Sequence, residues 1–455
     1  MGDLKENALG REKLSKLIFQ LALPSIVAQI INILYNIVDR MYIGHIKEAG
    51  NLALTGLGIT FPILSIISAF SAFAGSGGAP LAAINLGKGD KEKAEKILGN
   101  AILMLLTFSV FLTMGFLILK KPLLYLFGAS DNTIDYANQY ITIYLCGTVF
   151  VQLALGLNMF ISSQGKARIA MMSILIGAVT NIILDPILIF RFHMGVKGAA
   201  IATITSQAIS AAWVVIFLLS KRSSVRIKLK CLKPDIKMIT SIGALGIAPF
   251  IMQVTESAIM IVYNRGLQFH GGDLYVGSMT ILQSIMQLLI VPVQGFTQGV
   301  QPIISYNYGA AKFERVMKTF KITLIGTVSV TTLSSLICIL FPEVLARIFT
   351  TKPELISLVG DVLPIYIGGM WIFGLQMCCQ STFVGLGQAK ISLFIAIFRK
   401  IILLIPMIII MPLIFGVRGI YYSEPISDTI SATTAGFLFL FNYKKILSER
   451  SLRNI

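Results

Sequence analysis

The sequence predicts an all-α polytopic membrane protein. It has twelve transmembrane helices in two six-helix lobes, related by a pseudo-twofold axis along the membrane normal. Three observations predict this. Mean hydropathy is +0.81 and only 13% of residues are charged, outside the soluble globular range. Apolar stretches of about twenty residues, enough to cross a bilayer as helices, recur twelve times. Finally, the chain is written twice. Pro80, Asn85, Gly87, Phe127, Tyr144, Gly147 and Gly165 recur as Pro302, Asn307, Gly309, Phe349, Tyr366, Gly369 and Gly387. After the loss of one residue, Gly195-Val196-Lys197-Gly198 returns as Gly416-Val417-Arg418-Gly419.

In chain order the apolar stretches cover residues 17–39, 52–80, 97–119, 137–160, 169–190 and 198–220 in the first copy. The second copy supplies 238–264, 275–305, 322–342, 362–386, 391–415 and 419–443. Lipid demands internally satisfied backbone groups, so each stretch is expected to be helical. A strand barrel would alternate in polarity, and these stretches do not. Six helices is an even number, so both copies insert with the same orientation. We divide the chain into an N-lobe (1–222), a polar, basic linker containing Pro234 (223–236) and a C-lobe (237–455).

The formal charge of +17 is an orientation signal rather than a nucleic-acid footprint. With the N-terminus taken as cytoplasmic, the tails and same-side loops, from Lys5 to Arg453, hold 26 Lys and Arg, and the opposite side holds 10, Lys47 among them. The positive-inside rule then predicts cytoplasmic termini. The polar start leads directly into a full-length span, so no cleavable signal peptide is expected. The five cysteines imply no disulfide framework, and the adjacent Cys378 and Cys379 read as packing residues. Gly87-Lys88-Gly89 is not a phosphate loop, because Ala82 stands where its first glycine belongs. No nucleophile–base pair or metal-ligand spacing of histidines points to an enzyme. Pro24 and Pro249 occupy similar places in the first helix of each copy. They read either as a duplicated hinge or as prolines that membrane helices tolerate.

Five acidic residues fall inside spans: Asp39, Asp185, Glu256, Glu424 and Asp428. A carboxylate in hydrocarbon costs several kcal/mol unless hydrated, paired or protonated, so each is a functional candidate. Asn181 and Asp185 are four apart and share a helix face. Asp39 comes late in the first helix, Asp185 late in the fifth, and Thr203 early in the oppositely running sixth. All should therefore lie at similar depth, as an all-oxygen cluster suited to Na⁺ or a proton. Arg40 points about 100° away from Asp39 and should snorkel outward. In the second copy Glu424 and Asp428 share a face, with Glu256 on the seventh helix. These acids would form a second cation site, attract a cationic substrate, or hydrogen-bond across the bundle. Arg399 and Lys400 read as side chains snorkelling from a later-starting span, or as the lining of the cytoplasmic half of a cavity. Further cavity candidates are Tyr35, Asn36, Asn158, Gln283 and the methionines Met260 and Met286, which read either as an adaptable pocket or as packing within the helices.

At these residues the chain resembles the multidrug and toxic compound extrusion (MATE) family, in its MepA-like bacterial branch. The resemblance is carried by Tyr35-Asn36-Ile37-Val38-Asp39-Arg40, by Asn181 through Asp185-Pro186, and by Pro425-Ile426-Ser427-Asp428. Its most specific part is Gln298-Gly299-Val300-Gln301-Pro302 with Tyr306-Asn307-Tyr308-Gly309. It implies a V-shaped pair of lobes exporting cationic amphipathic drugs in exchange for H⁺ or Na⁺, without other cofactors. It also implies coupling at Asp39, Asn181, Asp185 and Thr203. Glu256 stands one residue out of register with a seventh-helix glutamate of the NorM-like branch, whose tenth-helix acid has no counterpart here. The expected partners are small cationic molecules and the lipid bilayer. Nucleic acid and an obligate protein partner are not expected, and the chain reads as a monomer. A lipid-precursor flippase is the alternative, and it would need a strongly basic cavity to which only Arg399 and Lys400 could contribute. A polytopic enzyme or a channel is the third reading.

Overall fold

The computed structural model describes residues 8–46 and 50–452, all helix or short connection. Lys5, Lys47 and Arg453, used above for orientation, and the extreme ends of both predicted lobes lie outside the described residues. The N-lobe consists of α1 (Leu14–Gly44), α2 (Gly50–Gly87), α3 (Lys91–Leu126), α4 (Ile134–Cys146 with Thr148–Ser163), α5 (Ala167–Pro186, continuing as a π-helical turn over Ile187–Arg191) and α6 (Gly195–Leu219). The C-lobe consists of α7 (Ile236–Gly271), α8 (Asp273–Gly309), α9 (Phe313–Leu340), α10 (Pro353–Tyr366 with Met370–Gly385), α11 (Ala389–Phe415, π-helical over Phe398–Leu404) and α12 (Val417–Leu452).

Nine of these helices are individually long and apolar enough to cross a membrane, and the two bent pairs, α4 and α10, raise the number to eleven among the described residues. The twelfth, α12, is a 36-residue helix, about 54 Å at 1.5 Å per residue, well beyond a hydrocarbon core of about 30 Å. Glu424, Asp428 and a run of serines and threonines lower its hydropathy. Both acids are paired with one arginine of a neighbouring helix, as described below.

The duplication governs the bends. Pro24 and Pro249 lie inside unbroken helices. The breaks occur instead at a duplicated glycine, Gly147 in α4 (60°) and Gly369 in α10 (51°). A Cβ on Gly147 would fall on the Ile204 side chain of α6, and one on Gly369 would lie 2.6 Å from the Pro425 carbonyl oxygen of α12. Ile204 and Pro425 are themselves equivalent in the two copies. Each bend is therefore the place where the fourth helix of a lobe meets the sixth closely, against the Ile204 side chain in one lobe and the Pro425 backbone in the other. A second matched feature is Asn158, whose amide donates to Ala170 O (3.2 Å), and Gln380, 222 residues on, which donates to Ser392 O (3.1 Å). Asn158 is thereby corrected from a cavity candidate to a buried tie between α4 and α5.

The lobes meet through α1 with α8 and α2 with α7, a symmetric exchange of first and second helices. On the half of the molecule that carries the termini, glycines allow the backbones to touch. A Cβ on Gly77, Gly246, Gly87 or Gly309 would land on a carbonyl oxygen of the opposite lobe, and those of Gly295 and Gly299 would lie 2.6 Å from the Cα of Ile26 and Ala22. Phe70 and Phe73 pack edge-on against Phe250 of α7, at 4.9 and 5.7 Å between ring centroids. The inter-lobe polar links lie on the same side. Gln29 Nε2 donates to Gln298 (2.9 Å), and Asn307 Nδ2, Lys312 and Arg315 donate to backbone carbonyls of the short helix Ala8–Arg11 and Glu12. In the far half, the close neighbours of Gly56, Gly266 and Gly277 belong to their own lobes. This conformer is closed at the terminus-bearing face.

The linker between α6 and α7 is pinned rather than loose. Gln164 Oε1 accepts from Ser223 Oγ and from the backbone N–H groups of Ser224 and Val225, and buried Glu95 pairs with Lys228 at 2.5 Å. All five cysteines are free.

Candidate functional site

Three helices of the N-lobe bring the expected cluster together. The α1–α5 and α5–α6 packing turns Asp39, Asn181, Asp185 and Thr203 inward, each no more than 7% exposed. The carboxyls of Asp39 and Asp185 face each other within hydrogen-bond reach. Asn181 Nδ2 donates to Asp185 Oδ1 at 3.4 Å, and the Thr203 hydroxyl donates to Ala199 O at 3.0 Å. Three oxygens, Asp39 Oδ1, Asn181 Oδ1 and Asp185 Oδ2, are buried without a hydrogen-bond partner. Among the described residues neither carboxyl has a basic partner. Arg40 turns away, as its helical position predicted, and sits 5.7 Å over the ring of Phe61.

Buried polar atoms are ordinarily satisfied, and two carboxyl groups in contact cannot both carry unshielded charge. One orphan oxygen from each carboxyl, with that of Asn181 beside them, fits a proton or a small cation. Among the described residues no group of three His, Cys, Asp or Glu side chains converges as a metal-ligand set. Tyr35 is half-buried beside Asp39, whereas Asn36 is exposed and donates to Asn32 O. Sequence reasoning missed Tyr140 and Tyr144, which stack on each other at 6.1 Å, with Tyr140 beside Thr203 and Asp39. Their signal was two tyrosines four apart in a span, the second of them retained in the duplicate as Tyr366.

The C-lobe is organised differently. Arg399 and Lys400 do not snorkel; they are 6% and 3% exposed, on the π-helical segment of α11. Arg399 pairs with Asp428 (2.7 Å) and Glu424 (3.0 Å), and its guanidinium lies 4.5 Å over Phe373. Lys400 pairs with Glu256. The Tyr263 hydroxyl, also missed, donates to Glu424 at 2.7 Å. Glu424 and Asp428 are therefore buried ion-pair partners within the lobe, not free cavity acids. Met286 is 7% exposed within the C-lobe core and is a packing residue, while Met260 and Gln283 are half-buried. Glu256 alone of the three acids keeps an exposed carboxylate, its side chain 66% accessible. The sequence carried all five charges but not their pairing, which depends on how α7, α11 and α12 rotate against one another.

Comparison with known proteins agrees with this architecture. The MatE family model matches residues 24–187 and again 247–410, one match per lobe. The chain is 26% identical to the multidrug export protein MepA of Staphylococcus haemolyticus (strain JCSC1435), over 93% of this chain and 92% of that protein. A multidrug resistance MATE family transporter of the MOP superfamily, solved in an outward-facing conformation, superimposes with a TM-score of 0.89 at 24% identity, covering 99% of this chain and 100% of that one. A MATE crystal structure in the bent conformation gives 0.89 at 25% identity, covering 98% of each chain. A duplicated match over most of the sequence, on twelve helices in two lobes, establishes that this chain belongs to the MatE family of polytopic membrane transporters.

Proposed function

We propose that the protein is a secondary antiporter that exports cationic, amphipathic compounds in exchange for H⁺ or Na⁺, with the exchange ion bound among Asp39, Asn181, Asp185 and Thr203. The observation that carries this reading is a pair of neighbouring, buried carboxyls with no basic partner among the described residues, each with an orphan oxygen and with the orphan amide oxygen of Asn181 beside them. The substrate class follows from the name of the Staphylococcus relatives, multidrug export proteins, and from the acidic character of the intramembrane groups. The basic excess on the terminus side supports cytoplasmic termini in a bacterial cytoplasmic membrane. The conformer closed on that side would then release substrate outward. Ion entry between Asp39 and Asp185 stabilises this conformer, and ion departure into the cytoplasm lets the lobes part at their glycine contacts. Each lobe pair is complete, which supports a monomer with no cofactor beyond the exchanged ion.

One charge moved through 100 mV supplies about 2.3 kcal/mol. Exchange of one monovalent ion for one monocation moves no net charge, so the ion's concentration gradient alone would drive it. The flippase alternative needs basic groups facing the cavity, and Arg399 and Lys400 are both neutralised within the lobe. The test is ethidium efflux from proteoliposomes under a separately imposed pH or sodium gradient. Asp39→Asn and Asp185→Asn should each abolish gradient-driven efflux at equal incorporation, and unchanged efflux in both would remove the mechanism.

A further inference from the structure

The two lobes place polar clusters on equivalent helices, α1, α5 and α6 in one and α7, α11 and α12 in the other. The one-residue-shifted duplication puts Glu424 at the position of Thr203. The clusters differ in one respect. The N-lobe cluster has carboxyls and, among the described residues, no base, whereas the C-lobe cluster carries Arg399 and Lys400 among Glu256, Glu424 and Asp428. Arg399 satisfies Glu424 and Asp428 together, leaving Lys400 to Glu256. With three acids against two bases, the group retains one negative charge.

The Glu256–Lys400 pair is also lopsided. The Lys400 side chain is 3% exposed and that of Glu256 is 66% exposed. On α7, Ile242 and Leu245 before Glu256, and Tyr263 and Leu267 after it, share its face at 100° per residue. All four are at most 1% exposed. A face buried at both ends and open in the middle marks a cavity, not a lipid-facing stripe. The inter-lobe packing of Gly246 and Phe250 lies on the terminus side of this opening. At this opening the Glu256 side chain stands outermost, with the Lys400 ammonium behind it.

We infer that Lys400 is a tethered, exchangeable occupant of a cation-binding carboxylate at Glu256, and that a monovalent organic cation in the inter-lobe cleft takes its place. The displaced ammonium has a second anion nearby, since Glu424 is close enough to act on Lys400 electrostatically. Lys400 is on this view a specificity residue. It weakens cation binding enough for release and excludes ligands that cannot offer a competing positive charge. The inference rests on the export of cations proposed above, but its test needs no ion gradient.

Binding of tetraphenylphosphonium to purified protein in detergent provides that test. Lys400→Met should tighten binding about tenfold, the size of one partly solvated charge interaction, while Lys400→Arg stays near wild type. Glu256→Gln should weaken binding, and Lys400→Met/Glu256→Gln should show no gain. A Lys400→Met protein that binds no more tightly, or a gain that survives Glu256→Gln, would overturn the inference. Wild-type protein offers a check free of folding effects. Tetraphenylphosphonium should slow carbodiimide modification of Glu256, read by mass spectrometry, and absence of protection, or equal protection by the same concentration of sodium, counts against it. In an Asp39→Asn background the Lys400→Met gain should persist while gradient-driven efflux is lost, which separates this site from the exchange mechanism.

Discussion

Replacing Gly295 and Gly299 together by alanine should shift the protein out of the conformer described here. Both glycines lie on one face of α8, four residues apart, against α1 of the other lobe. The new Cβ atoms would lie 2.6 Å from the Cα of Ile26 and 2.6 Å from the Cα of Ala22, whereas real Cβ contacts stay above 3.0 Å. The obstacles are backbone atoms, so no rotamer change relieves the overlap, and the helices must separate by at least 0.4 Å. Overpacking of this kind costs about 1–3 kcal/mol. The cost applies only where the lobes touch, so the population ratio should move by roughly 5- to 150-fold toward lobes parted on this side. The helix-propensity gain of alanine over glycine, about 1 kcal/mol per site, is present in both conformers and cancels. The assay is disulfide trapping of Gln29→Cys/Gln298→Cys, whose native side chains are 2.9 Å apart across the lobes, and separately of Asn100→Cys/Met238→Cys on α3 and α7, at 3.8 Å. Exposed Cys146 would be replaced by serine. Both yields should fall, and Gly115→Ala, which has nothing within 4 Å, should change neither. A fall at the first pair with no change at the second would mean local adjustment only, and would refute the argument that these glycines set the conformer.

Arg399→Met should destabilise the protein by about 3–5 kcal/mol, because it leaves Glu424 and Asp428 buried without a counter-charge. Adding Glu424→Gln and Asp428→Asn should restore most of the loss in a thermal melt; failure to recover would mean that the guanidinium acts through packing on Phe373 instead. Asn158→Ala and Gln380→Ala should cost similar amounts, about 1–3 kcal/mol each, since each removes the equivalent buried tie between the fourth and fifth helices of its lobe. Melting curves of the two variants that differ widely would contradict the equivalence.

Particular residues show how far the sequence could be read. The four N-lobe cluster residues were legible because each was a polar group in an apolar span, at a place where helix direction fixed its depth. Arg399 and Lys400 were equally visible and were read either as snorkelling or as lining a cavity; their burial in ion pairs depends on acids that other helices supply. Asn158 was read as a cavity candidate on composition alone, and Met286 as either a pocket or a packing residue. Their burial within a lobe depends on helix rotation, which one-dimensional periodicity in an almost uniformly apolar helix cannot report. The matched prolines drew attention as hinges, but the bends lie at Gly147 and Gly369, where the neighbouring sixth helix needs the space.

The sequence by itself determined the twelve spans, the duplication and the identity of the intramembrane charges, because hydrophobic length and charge cost are local properties of the chain. Tertiary structure decided which charges are compensated. Asp39 and Asp185 are brought face to face without a base, while Glu256, Glu424 and Asp428 meet Lys400 and Arg399. Whether a buried carboxylate needs a mobile ion depends on what lies within a few ångströms of it, and that neighbour comes from another helix.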